Sequence, residues 1–148
     1  MLLDSGWNSW LVRGQFNKST KIITVYLFSL SGNPVYKTRT MAANALVPLV
    51  SLEKAETITR RILGNIKRHH EGIINQNAIH GSLLQLFRLI EKWVSLPLSQ
   101  VDVDFLMKLI LKESIGLFND ANVNPISKKC LLDIMVLLLQ TNTEVNGT

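Results

Sequence analysis

The side chains here with the reach to do chemistry are three histidines, one cysteine and an unevenly spread set of basic residues. His69, His70 and Glu71 stand side by side, so metal-ligating types adjoin. Neighbours on a helix point about 100° apart, so they do not converge on one ion as an i, i+4 pair would. A solvated helix end is the simpler reading, because histidine suits the negative pole of the helix dipole. His80 and Gln85 lie in Asn77-Ala78-Ile79-His80-Gly81-Ser82-Leu83-Leu84-Gln85-Leu86. A mid-helix glycine costs about 1 kcal/mol of helix propensity relative to alanine. Gly81 therefore implies close approach by another helix or by a partner. His80 and Gln85 then either satisfy backbone groups at a helix–helix seam or line a groove that meets a partner. Neither has a nucleophile or a paired acid at a spacing that would make it a general base. Cys130 falls in an apolar helical pattern and reads as a small buried core residue rather than a nucleophile.

The basic residues are concentrated in one half. Residues 10–70 carry ten Lys/Arg against Glu53 and Glu56, whereas residues 71–148 carry six against eight acids. Lys37, Arg39, Arg60, Arg61, Lys67 and Arg68, with His80 and Gln85, are the candidate contacts to RNA or to a protein partner. In a stacked helical array such cations line up as a stripe that binds phosphates with strong salt dependence. The alternative is an ordinary solvated helix face. Aromatic residues do not interleave with the basic ones, so base-specific readout is not expected. Neither GxGxxG nor GxxxxGK[ST] occurs, and strands do not alternate with helices as a dinucleotide or methyltransferase domain requires. No catalytic residue, cofactor or metal is expected.

The elements that must position these groups read as helices. A chain of 148 residues suffices for one domain with a core. Its hydrophobic fraction of 47% and mean hydropathy of +0.18 are high, yet no run approaches the roughly 18–20 apolar residues of a membrane span. Asp4 follows Met1-Leu2-Leu3 at once, which is not a secretory leader. The single cysteine fits a reducing compartment, so a cytoplasmic location is expected. Gly6, Asn8, Gly14 and Asn17 suggest an irregular lead-in over 1–17. Helical patterns follow over 21–30, 35–50, 52–68, 78–94, 101–118 and 125–140, with a polar tail over 142–148. Pro34 marks a helix start and Pro48 a last turn. Ser51, Asn77 and Asn124 are the expected caps, the last with Pro125 at the first helical position. Ala42, Ala45, Leu46 and Leu49 share one face of the second helix and are its expected core, leaving Lys37 and Arg39 for a partner. Six helices in three pairs, spaced roughly 40–50 residues apart, predict an all-α, HEAT/armadillo-like α-solenoid segment over 18–141. A closed helical bundle is the competing arrangement.

Two segments, residues 36–50 and the Asn77–Leu86 run quoted above, resemble in order and spacing the THADA (thyroid adenoma-associated protein) family. The first is written Tyr36-Lys37-Thr38-Arg39-Thr40-Met41-Ala42-Ala43-Asn44-Ala45-Leu46-Val47-Pro48-Leu49-Val50. The resemblance covers about residues 18–140. It implies a piece or short form of a very large helical solenoid. It also implies a non-catalytic scaffold that supports 2′-O-ribose methylation of nucleotide 32 in the tRNA anticodon loop. The implied partner is an FtsJ-type methyltransferase, which would carry S-adenosylmethionine and the catalytic residues. The alternatives are a protein–protein adaptor without RNA contact, or a truncated product lacking the family's activity.

Overall fold

The computed structural model describes residues 6–97 and 101–147. Its helices are α1 (Gly6–Ser29), α2 (Tyr36–Leu46), α3 (Ala55–His70), α4 (Gln76–Val94), α5 (Val103–Asn119) and α6 (Pro125–Asn146). No strand occurs among the described residues. Consecutive helices pack as pairs: α1 with α2, α3 with α4, α5 with α6. Helices α2 and α6 also lie against α4, while α3 lies against α5. The result is two layers of helices, the stacking pattern of an α-solenoid and not of a closed bundle.

Local chemistry sets the helix boundaries. Asn124 Oδ1 accepts the Ile126 N–H at 3.0 Å and Pro125 opens α6, as the sequence predicts. Asp102 caps α5 through the Phe105 N–H at 2.9 Å. The cap of α4 is Asn75, whose Oδ1 accepts the Ala78 N–H at 3.1 Å, not Asn77. Ser51 makes no side-chain cap and leads instead into a 3-10 turn, Leu52–Lys54, ahead of α3. Pro34 lies outside α2, in a turn where Asn33 Oδ1 accepts the Val35 N–H at 2.9 Å. Pro48 has no N–H to continue the ladder, so α2 ends at Leu46 and a 3-10 turn, Val47–Leu49, follows.

Three expectations are corrected. Residues 6–17, expected to be irregular, belong to α1. Residues 142–146, expected in a polar tail, continue α6. The buried face of α2 also begins three residues earlier than expected. Arg39, Ala42, Ala43 and Leu46 are buried, Leu49 is half-buried and Ala45 is exposed. The expected face assumed an unbroken helix to residue 50. With the helix ending at Leu46, Arg39 takes the fourth inward position.

α4 is the axis of the molecule. Ile79, Leu83, Leu86, Leu89, Ile90 and Trp93 are buried against neighbours on both sides. Ile58, Ile62 and Ile66 of α3 and Leu131, Ile134 and Leu138 of α6 pack into the same core. Among the described glycines, the closest approach by a neighbouring element is at Gly81. A Cβ there would stand 2.0 Å from the Ser31 carbonyl oxygen and 2.8 Å from Ser31 Cα. Ser31 belongs to the 3-10 turn Leu30–Gly32 that joins α1 to α2. The glycine thus admits backbone from the preceding helix pair, and the obstacle to any side chain is backbone that cannot rotate away.

Gly81→Ala is expected to destabilise the chain by about 1–3 kcal/mol, lowering its melting temperature by several degrees. Gly64→Ala, in α3 with nothing within 4 Å of the new Cβ, is expected to stabilise by about 0.5–1 kcal/mol. Thermal unfolding of the two variants followed by circular dichroism checks both signs. Equal melting temperatures would show that the Ser31 contact relaxes at no cost.

Candidate functional site

α1 and α3 do not close on one another along their length. Between them lies an open cleft of about 690 Å³, with the connection from α1 to α2 and the start of α4 as its floor. A second hollow of about 420 Å³ adjoins it and shares Val25 and Arg61. Arg61 and Arg68 of α3 line this groove, with Lys54 before them and Lys21 on the facing helix. Asn65, His69 and Asn75 add neutral polar groups. Among the described residues, no acidic side chain lines either hollow.

Helical spacing sorts the cations of α3. Arg61 and Arg68 are seven residues apart and so share a stripe, with Gly64 and Asn65 between them. Arg60 and Lys67 are likewise seven apart but lie about 100° round the helix, outside the groove. The two stripes are held differently. Arg60 pairs with Glu56 at 3.1 Å and lies over the Phe105 ring of α5. Arg61 lies over the Phe28 ring, 4.6 Å from its centroid, and so is held against α1. Arg68 donates to Asn65 Oδ1. Lys21, Lys54, Arg61 and Arg68 make no ion pair with any described residue. Lys37 is exposed on the first turn of α2 and is not among the groove residues. Of the expected contacts, only Arg61 and Arg68 therefore come together. Lys21, Lys54 and His69 complete the groove. The signal for Lys54 was the seven-residue interval Lys54, Arg61, Arg68.

Arg39, His80 and Gln85 are not available to a partner, which corrects their assignment as contacts. All three are buried. Arg39 Nη1 donates to the carbonyls of Asn33 at 2.7 Å and Pro34 at 3.1 Å, and to Asn77 Oδ1 at 3.3 Å. Its Nη2 lies 3.3 Å from His80 Nδ1. Tyr36 stacks on the His80 ring at 5.7 Å and nearly parallel. Gln85 Nε2 donates to the Leu27 carbonyl at 3.0 Å. These side chains satisfy backbone groups at the seam between the first two helix pairs, the first of the two readings the sequence left open.

Burial depresses the His80 pKa below 6.5, and the Arg39 charge depresses it further. A neutral ring is also what Arg39 requires, since an imidazolium could not accept its N–H. The His69 pKa is lowered for the same two reasons, burial and then the adjacent Arg68. The unfolded chain thus binds these protons more tightly than the folded one. Their contribution to stability is complete above pH 6.5 and is lost as pH falls from 6.5 through the depressed native values. The melting temperature is expected to drop between about pH 7.5 and about pH 5, in the range where histidine titrates. The drop should be smaller in His80→Phe, which keeps the stack on Tyr36. An unchanged pH profile in that variant would remove His80 from this role.

The remaining reactive groups have structural partners. His70 Nε2 lies 2.8 Å from Asp120 Oδ2, tying the end of α3 to the end of α5. The backbone N–H of Asn122 and then the His70 hydrogen bond hold the Asp120 carboxyl below its usual range. Gln76 donates to the Asn122 carbonyl and accepts the Asn124 N–H, closing the same corner on α4. Burial pushes the Cys130 thiol up to about 12, where it is a poor nucleophile. No helix of the described residues is long and apolar enough to cross a membrane.

Comparison with known proteins places this geometry. Residues 13–89, which take in most of α1 and run into α4, match the family described as Trm732, C-terminal TPR repeats. The mouse (Mus musculus) tRNA (32-2'-O)-methyltransferase regulator THADA is 27% identical over 118 residues, covering 76% of this chain and 6% of the mouse protein. The human (Homo sapiens) protein of the same name is 35% identical over 68 residues, covering 46% of this chain and 4% of its own length. The chicken (Gallus gallus) protein of that name is 27% identical over 117 residues. The chain thus spans only 6% or less of the length of these relatives. No solved structure matches it. The family match covers more than half of the chain and the helix pairs that build the groove, so the chain belongs to the Trm732 C-terminal TPR-repeat family.

Proposed function

We propose that this chain is a non-catalytic scaffold segment that supports 2′-O-ribose methylation of tRNA, at nucleotide 32 of the anticodon loop, by a partner methyltransferase. One observation carries this reading: the similarity across 76% of the chain to a protein named as a regulator of that reaction. The fold supports it, because paired helices stacked in layers present extended faces to partners. So do the side chains best suited to chemistry. His80 is stacked and hydrogen-bonded in a seam, His70 is held to Asp120, and Cys130 is buried as a thiol. In this reading the partner, of FtsJ type, holds S-adenosylmethionine and makes the bond, and the complex works in the cytoplasm.

An adaptor without RNA contact is favoured by a separate observation. α6 exposes Leu132, Val136 and Leu139 at helical spacing, and α5 exposes Leu111 and Ile115. This apolar face suits a protein neighbour.

Reconstitution with an FtsJ-type methyltransferase and unmodified tRNA tests the proposal. The chain is expected to co-purify with the enzyme, to raise methyl transfer to nucleotide 32, and to transfer no methyl group alone. Methyl transfer by the chain alone, or failure to associate, would overturn it. Association without any effect on methylation would favour the adaptor.

A further inference from the structure

We propose that the groove between α1 and α3 takes the sugar–phosphate backbone of RNA, laid along α3. The inference rests on the regulatory reading above and assigns that reading a surface. Arg61 and Arg68 stand two helical turns apart, about 10 Å along the axis, and Lys54 continues the row at the same interval in sequence. Lys21 faces them from α1. A row of like charges recurring every seven residues, with no acid among the described lining residues, suits a linear polyanion whose own charges recur at regular intervals. Two of the cations are guanidinium groups, whose forked N–H donors match phosphate oxygens two at a time. Asn65 and Asn75 add the neutral donors that commonly accompany phosphate contacts.

The groove also defines what it does not read. Among the described lining residues Phe28 is the one aromatic ring, and Arg61 covers its face, so it is not open for a base to stack on. Recognition is of backbone charge and path, independent of sequence. Guanidinium groups also match carboxylates, so an acidic peptide is the competing occupant. The regular row, and the tRNA named in the reaction that the related proteins regulate, favour RNA.

The test uses the whole chain, fluorescently labelled tRNA and a salt series from about 50 to about 200 mM. The groove variant is Lys54→Gln/Arg61→Gln/Arg68→Gln. The control, with the same loss of charge, is Lys37→Gln/Arg60→Gln/Lys67→Gln. The groove variant is expected to flatten the plot of log affinity against log salt by about 2, since each lost phosphate contact removes roughly 0.7–0.9 from the slope. The control is expected to keep most of the slope. Equal losses in both variants, or none in the groove variant, would overturn the assignment. So would groove-dependent binding of polyglutamate with no binding of tRNA. If the triple variant fails to fold, Arg68→Gln alone, checked by its melting temperature, decides on a loss of about one contact. The same proteins are then assayed for methylation with the partner enzyme. Unaltered tRNA binding with methylation still supported would sink the groove and leave the regulatory reading standing. Groove-dependent tRNA binding without any association with the enzyme would do the reverse.

Discussion

The contact between Gly81 and the backbone of Ser31 is the constraint on which the rest of this structure depends. It lets the connection from α1 to α2 lie directly on α4, with no side chain between them. Close approach brings the polar groups of that connection within reach of α4. Arg39 can then collect two turn carbonyls, Asn77 and His80, and Gln85 can reach the Leu27 carbonyl. Buried polar groups are costly when unpaired, so a wider seam that broke these hydrogen bonds would be penalised. The glycine's helical penalty is small beside what the close packing secures.

The same spacing sets the groove. The first helix pair is anchored to α4 at its connection, and α3 is anchored to α4 along its apolar face. α1 and α3 are therefore held as two walls on a common base. Asn65 helps fix α3 by donating to Ser82 of α4 at 2.8 Å, one position after the glycine. The cations on the inner stripe keep their charge for a ligand, whereas Arg60 on the outer stripe has a carboxylate beside it. A site of this kind is made by the placement of surface charge on a rigid frame and needs no buried reactive group. That is consistent with a protein that positions an RNA or an enzyme while another chain makes the bond.

Much of this was legible in the sequence where the signal was local. The cap and proline that open α6, the apolar spacing of α3 and α4, and the close approach implied by Gly81 all follow from neighbouring residues. The errors arose where the deciding partner was distant. Asn77 has the chemistry of a cap, but its side chain accepts from Arg39, thirty-eight residues away, and Asn75 takes the cap. Arg39 reads as a surface cation until the turn carbonyls and His80 surround it. Ala45 reads as core only if α2 continues through Pro48 in register. Of the candidate contacts on α3, the sequence grouped Arg60, Arg61, Lys67 and Arg68 together, and only Arg61 and Arg68 line the groove. Lys21 could not be added, because only the packing of the first two helix pairs brings α1 to that side of α3.

A covalent probe placed in the groove tests most directly the proposal that RNA lies between α1 and α3. Gly64 lies in the lining with free space around it, so a photo-crosslinking side chain fits there without disturbing α3. Irradiation of the chain with tRNA and an FtsJ-type methyltransferase should crosslink position 64 to tRNA, and the same probe at Lys37 should not. Crosslinks to tRNA from position 37 with none from position 64 would contradict the account.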